Sequence, residues 1–94
     1  MHEQAICQSV LDVVLEAAAE RPVSRVRVRV GGGLNVSTES FAQWFEMLAA
    51  DTAAAGAIVD QRITGDNELA VEEIALGDGE VLRNPAFVRT GEEG

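Results

Sequence analysis

The 94-residue chain contains no lysine at all, and it has a single histidine and a single cysteine. The missing lysine ammonium group excludes a P-loop, a Schiff-base enzyme and a polybasic membrane anchor, because each of these needs it. The formal net charge of -9 also argues against nucleic acid or an anionic membrane as a partner. We therefore expect neither nucleic acid nor a membrane among its partners.

The lone cysteine, Cys7, excludes an intramolecular disulfide and a structural zinc site built from thiolates. Acidic residues interrupt the apolar stretches before they are long enough to cross a bilayer, and no basic segment precedes the first to form a signal peptide. We expect a soluble, cytoplasmic protein. With its one histidine at the extreme terminus, the sequence predicts no catalytic constellation, so we do not expect an enzyme.

The first part of the chain predicts a helix followed by a strand. Apolar residues recur at helical spacing between residues 4 and 20, and Arg21 and Pro22 are expected to end that helix. Residues 24–30 read SRVRVRV, a strict alternation that predicts a strand with valines on one face and arginines on the other. One face of this strand should lie against the core.

The second part predicts another helix and two more strands. Ser37 is the expected N-cap of the helix, and Gly56 is expected near its end. Residues 57–63 and 68–76 have strand character, and the intervening TGDN has the residue types of a hairpin turn. Simple alternation fails in the last strand, which predicts a bulge near Glu72 and Glu73.

These elements predict a two-layer α+β domain, in the order helix, strand, helix, strand, strand. The sheet is expected to be mixed and three-stranded, with the first two strands parallel and both helices on one face. On the other face, the arginines should form cross-strand ion pairs with Asp60, Glu72 and Glu73 rather than a basic docking stripe. The domain should span residues 1–76, and residues 77–94 should form a polar, disordered tail.

The first three residues have the chemistry of a metal site. The Met1 amine, the backbone nitrogen and imidazole of His2, and the backbone nitrogen or carboxylate of Glu3 can together bind one ion in tetragonal geometry. Nickel(II) and copper(II) favour that geometry. The alternative is that these residues only begin a frayed helix, with Glu3 placed well beside the helix dipole.

Two further features have structural as well as functional interpretations. Cys7 is a possible soft metal ligand, but its apolar neighbours favour a small buried hydrophobic residue. Glycines 31–33 are a possible phosphate cradle before the second helix, but a strand-to-helix turn explains them equally well.

Several segments, taken in order, resemble one family, the HypA/HybF proteins that insert nickel during nickel-iron hydrogenase maturation. The segments are MHEQAICQSVLDVVLEAA, SRVRVRVGG, SFAQWFEMLA, GAIVDQRI and NELAVEEIAL. In that family the N-terminal MHE is the nickel site, so the resemblance implies that Met1, His2 and Glu3 are nickel(II) ligands. It also implies two partners, the maturation GTPase and the precursor of the hydrogenase large subunit.

The sequence departs from the family pattern in one respect. Family members carry a zinc domain with paired cysteines between their last two strands, where this chain has only TGDN, so no zinc is expected. In some members a carboxylate near the start of the second helix approaches the nickel; here Ser37 and Glu39 occupy that region, and neither is assigned to the site. We expect a nickel metallochaperone or accessory protein, the alternative being a paralogue without a zinc domain that acts as a non-catalytic adaptor of a hydrogenase or maturation complex.

Overall fold

A computed structural model of the chain describes the backbone of residues 3–34, 37–65 and 67–87, and the side chains of residues 4–33, 37–65 and 67–83. The helices and strands in this part are α1 (Glu3–Ala18), β1 (Val23–Gly31), α2 (Thr38–Ala49), β2 (Ile58–Thr64), β3 (Leu69–Leu76) and β4 (Val81–Phe87). A single 3-10 turn, Gly32–Leu34, follows β1. Within these ranges neither α-helix is both long enough and apolar enough to span a bilayer.

The sheet is mixed and its spatial order is β2-β1-β3-β4. Strand β1 is parallel to β2 and antiparallel to β3, and β4 is antiparallel to β3. The predicted α+β class with two helices and a mixed sheet is confirmed. The predicted count of three strands is wrong, because β4 forms from residues that the sequence pattern assigned to the polar tail.

The β3–β4 connection explains why the fourth strand forms. Gly79 has φ +98°, a conformation that suits glycine, and the Asp78 carboxylate accepts a hydrogen bond of 2.9 Å from the Glu80 N–H. The Leu76 N–H then donates to the Glu80 carbonyl at 2.8 Å and closes the turn. Pro85 weakened the strand prediction, but β4 is an edge strand, where a missing N–H is tolerated.

The predicted hairpin between β2 and β3 is also wrong, because β1 lies between these two strands. Their connection instead passes the end of β1, where the Gly31 N–H donates to the Glu68 carbonyl at 2.7 Å. A Cβ at Gly32 would lie 3.1 Å from the Thr64 carbonyl oxygen, so a side chain there would crowd the crossing. The residue types in TGDN favour a turn locally, but they do not determine which strands become neighbours in the sheet.

Helix α1 ends at Ala18, two residues before the predicted end at Glu20. Ala19 and Glu20 have positive φ values of 52° and 72°, which terminate the helix after Ala18. The Arg21 guanidinium Nε donates to the Ala18 carbonyl at 3.2 Å, so a cation satisfies an end carbonyl of the helix.

Helix α2 begins as predicted and ends earlier. The Ser37 hydroxyl accepts a 3.3 Å hydrogen bond from the Ser40 N–H, which confirms Ser37 as the N-cap. The predicted end near Gly56 is wrong, because the helix stops at Ala49. There the Thr52 hydroxyl donates to the Ala49 carbonyl at 2.8 Å and competes with the next helical turn.

Both helices cover one face of the sheet, and the core lies between the layers. The largest fully buried side chains come from both helices, β1 and β3: Phe41, Phe45, Ile6, Leu11, Leu69, Ile74, Val10, Val14, Val26, Val28, Val30 and Val71. In β3 the register moves from Glu73 opposite Arg27 to Val71 opposite Val28, so Glu72 is an extra residue and the predicted bulge is confirmed. The bulge puts Val71 and Ile74 on the same, buried side.

Candidate functional site

The predicted nickel ligands lie outside the described residues. Met1 and His2 precede the first described residue, and of Glu3 only the backbone is described, as the first residue of α1. The assignment of Met1, His2 and Glu3 as metal ligands therefore stays a prediction. The structure does describe the support directly behind them.

The first turns of α1 are firmly anchored in the core. Ile6, Cys7 and Val10 have no exposed surface, and the Cys7 thiol donates to the Phe41 carbonyl in the first turn of α2 at 3.4 Å. The interpretation of Cys7 as a small buried side chain is thus confirmed. Since Phe41 is itself fully buried, the start of α1 is tied to the start of α2 through packing and through this contact.

The start of α2 contributes a cap and one exposed acid. The hydroxyl of Ser37 caps the helix, and this structural role explains the serine without a metal. Glu39 lies in the first turn of α2 and is exposed to solvent. Its position is favourable toward the helix dipole, which explains an acid there without a metal.

No second metal centre is visible in the described ranges. Among the side chains of residues 4–33, 37–65 and 67–83, no three of histidine, cysteine, aspartate or glutamate lie together as a potential metal-binding group. At the glycines considered as a phosphate cradle, the Gly31 N–H donates to the Glu68 carbonyl, and Gly32 and Gly33 lie in the 3-10 turn that follows β1. The N-terminus remains the site that the chemistry of the chain favours.

The sheet face opposite the helices is charged, as the alternation of β1 predicts, and several ion pairs connect its strands. Arg25 pairs with Asp60 at 3.4 Å, and Arg29 pairs with Glu68. Glu72 and Glu73, the other acids expected to pair with β1, form their ion pairs with arginines of β2 and β4 instead: Arg62 with Glu72 at 2.5 Å and Arg83 with Glu73 at 2.9 Å. Only the strand order reveals these last two pairs.

Glu72 is the most electrostatically perturbed acid on this face. Its hydrogen bonds from the Arg62 guanidinium hold the pKa of Glu72 below its ordinary value, and the charges of Arg62, Arg29 and Arg27 act in the same direction. Partial burial opposes the shift without reversing it. Since β1 separates β2 from β3, the Arg62–Glu72 pair reaches across the middle strand. The pair is largely exposed, so its contribution to stability is small.

A groove of about 260 Å³ runs between α2 and β2. Its lining is mostly small and apolar: Ala42, Phe45, Glu46, Ala49, Ala54, Gly56, Ala57 and Val59. Glu46 is the single ionisable side chain among them, so the groove lacks the paired groups that general acid-base or nucleophilic catalysis needs. It is a place for contact rather than for a reaction.

Comparison with known proteins adds a family to this geometry. A family model described as "Hydrogenase/urease nickel incorporation, metallochaperone, hypA" matches residues 1–66. The hydrogenase maturation factor HypA of Francisella philomiragia is 39% identical over 54 residues, which are 55% of this chain and 48% of that protein. Hydrogenase maturation factor HypA 2 of Bradyrhizobium diazoefficiens is 37% identical over 60 residues, which are 61% of this chain and 53% of that protein.

The fold itself also has a solved counterpart. The solution structure of the nickel metallochaperone HypA from Helicobacter pylori superposes with a TM-score of 0.60 at 22% identity, over 88% of this chain and 70% of that one. At that identity the likeness is evidence for the fold alone. The chain spans about half the length of the two maturation factors that it matches.

Proposed function

Since the chain belongs to the HypA family of nickel metallochaperones, we propose that it binds one nickel(II) ion at its N-terminus and donates it during hydrogenase maturation. The proposed ligands are the Met1 amine, the His2 backbone nitrogen and imidazole, and Glu3. The observation that carries the proposal is the family match, which begins at residue 1 and so includes the MHE motif. The family is one of metallochaperones rather than enzymes, in agreement with the absence of a catalytic constellation in the sequence.

The described structure supports the proposal through the helix behind the motif. Helix α1 begins at Glu3, and Ile6, Cys7 and Val10 fix its first turns in the core. A rigid helix start lowers the entropy that the three residues lose when they close around an ion. We therefore expect Met1, His2 and Glu3 to bind nickel(II) more tightly in this chain than in a short unstructured peptide with the same three residues.

The ligand set predicts how binding depends on pH and on the metal. The amine, imidazole and peptide nitrogen must all lose protons to bind, so affinity for nickel(II) should rise with pH. By the Irving–Williams order copper(II) should bind more tightly in vitro, so selectivity must come from metal supply and partners. Moderate affinity suits a protein that passes its ion on.

The same proposal includes the partner proteins and the cellular compartment. They are the maturation GTPase and the hydrogenase large-subunit precursor, met in the cytoplasm, as the family resemblance implies. With one cysteine in the sequence, we also propose that this chain works without the family's zinc site.

A second candidate function follows from the same composition. A paralogue that lacks the zinc module and its contacts is suited to act as a non-catalytic adaptor or accessory subunit, with the MHE motif idle. The short TGDN connection and the single cysteine favour this alternative. The two functions differ in whether a free Met1 amine matters.

The deciding experiment is calorimetric titration with nickel(II), near neutral pH and at higher pH, on protein with its native N-terminus. We expect one ion per chain, tighter at higher pH. His2→Ala and a chain with one residue added before Met1 should both lose the binding, because each removes a ligand from the set. Glu39→Gln, an exposed acid that we leave outside the site, is the matched control and should bind like the parent.

The contrary outcomes are equally clear. If nickel does not bind, or binds alike to the parent and both N-terminal variants, the chaperone function is rejected in favour of the adaptor. If Glu39→Gln alone weakens binding, the ligand set proposed here is incomplete.

A further inference from the structure

The outer edge of β2 is an exposed strand edge with apolar side chains. Among the strands of residues 3–34, 37–65 and 67–87, β2 pairs with β1 alone, so the backbone groups on its other side face away from this sheet. Ile58 and Ile63 are 54% and 51% exposed, which is high for such large apolar side chains. The strand contains no proline and no lysine, two residues that often protect an edge from pairing. This edge is therefore suited to pair with another strand.

The sequence of β2, IVDQRIT, is complementary to itself about Gln61. If a second copy pairs antiparallel with Gln61 opposite its own counterpart, Asp60 of each copy lies opposite Arg62 of the other. In the same register, Val59 of each copy lies opposite Ile63 of the other. Directly opposed residues share a face of the sheet, so both charge pairs and both apolar pairs are formed on matching sides.

The faces of β2 agree with that arrangement. Val59 and Ile63 stand in register with Val26 and Val30 of β1, whose side chains point into the core, so they lie on the helix side. Asp60 stands in register with Arg27, on the charged side. In the dimer, the helix side of one copy's sheet is therefore continuous with the helix side of the other, and the charged side with the charged side.

Neighbouring registers are unfavourable. Centring the pair on Asp60 would place the two Asp60 carboxylates opposite each other, and centring it on Arg62 would place two guanidinium groups opposite each other. Like charges in directly opposed positions destabilise a sheet. A register that moves one copy by a single residue would bring charged side chains to the apolar side. The pattern selects the register centred on Gln61.

We propose that the β2 edge is an interface between two copies of this chain, joined antiparallel about Gln61 into one continuous sheet. The Arg62–Glu72 pair does not obstruct it. Arg62 contacts Glu72 through Nε and Nη2, and a guanidinium also carries donors on its remaining nitrogen, which can serve Asp60 of the second copy. The groove beside Val59 gives the second copy's Ile63 an apolar surface at its rim.

The test uses sedimentation of the full chain over a dilution series, with two charge-reversal variants. Asp60→Arg puts two arginines opposite each other at both ends of the pairing, and Arg62→Asp does the same with two aspartates. We expect the parent to dimerise and each variant alone to associate at least about tenfold more weakly. Mixed in equal amounts, the two variants should form a heterodimer, because every opposed pair then regains opposite charges.

A matched control separates this edge from the opposite one. Arg83→Asp breaks an ion pair with a β3 glutamate, as Arg62→Asp does, but on β4 at the far edge of the sheet. It should leave the dimer unchanged. A parent that stays monomeric throughout the series, a dimer that withstands both β2 reversals, or a mixture that does not associate overturns the proposal.

Cross-linking tests the register directly. In a Gln61→Cys variant the two introduced thiols lie opposite each other across the two-fold axis, at the roughly 4.5–5.5 Å Cα separation that a disulfide accepts. Mild oxidation should give a covalent dimer. Ile58→Cys is the control: two such thiols would stand about 20 Å apart in this register, so no efficient cross-link is expected although the position is more exposed. The reverse result rejects the register.

Discussion

The two faces of the sheet are built from alternate residues of the same strand, but different interactions form them. One face is apolar and buried, and the other is charged and exposed. On the helix side of β1, Val26, Val28 and Val30 are buried against α1 and α2. On the other side, arginines lie in water and pair with acids of the neighbouring strands. Apolar burial contributes most of the stability of such a domain, whereas exposed ion pairs contribute little and mainly exclude wrong registers. The comparison teaches that the helix-covered face supplies most of the stability of the fold, whereas the charged face mainly favours the correct strand register.

The largest expected effect is on the helix-covered face. Phe45→Ala removes a ring that is 1% exposed and stacked near Phe41, with ring centroids 6.4 Å apart. We expect the free energy of unfolding to fall by about 3–5 kcal/mol, through lost transfer energy and the cavity left behind. Urea denaturation measures it. Met47→Ala on the same helix, 65% exposed, should change stability by less than about 0.5 kcal/mol. Equal effects of the two changes would contradict the assignment of the faces.

Two adjacent residues of β1 allow a direct comparison of the faces. Val28→Thr keeps the shape and β-branching of the side chain but buries a hydroxyl, so we expect a loss of about 1–3 kcal/mol. Arg27→Thr introduces the same residue one position earlier, on the charged face, and should stay within about 0.5 kcal/mol of the parent. Chemical denaturation of both variants, under one set of conditions, gives the difference. If Arg27→Thr is the more damaging change, the outer face carries more stability than we assign to it.

The smallest effect is expected at the Arg62–Glu72 pair. Because the pKa of Glu72 is lowered from 4.5 in the folded state, its contribution is fully present above that pH and is lost as the pH falls through the folded value. Glu72→Gln should therefore cost at most about 1 kcal/mol at pH 7, and the difference from the parent should shrink below about pH 4.5. Thermal unfolding at several pH values gives the curve. A difference that grows toward acid would reverse the sign that we assign to the shift.

Local patterns predicted much of the fold, and non-local competition explains the errors. Alternation in β1, the Ser37 cap and the bulge at Glu72 are each encoded within a few residues, and the structure has all three. The pairing of β2 and β3 was mistaken because turn residues in TGDN favour a hairpin locally, whereas the sheet places β1 between these strands. Strand β4 was missed because it is an edge strand containing proline, whose pattern resembles that of a tail.

At the candidate site, too, the local sequence predicts some features and only the structure shows others. The chemistry of Met1, His2 and Glu3 as ligands follows from the residue types, while the anchoring of the helix behind them required the structure. The burial of Cys7 against Phe41 joins residues that are 34 positions apart, which no local pattern reveals. The partners of the β1 arginines likewise depend on strand order, so their general character was predictable but the individual pairs were not.

The middle position of β1 in the sheet also affects the order in which contacts form during folding. β1 is synthesised early, yet both strands that flank it come from later in the chain, and only the pairing of β3 with β4 is local. Helix α1 packs on α2 and also on β3 and β4. Folding must therefore close long loops before the sheet gains its central contacts, which makes it slow for a domain of this size. Helix α1, which lies directly behind the MHE motif, completes its packing only when β3 and β4 from the far end of the described chain are in place.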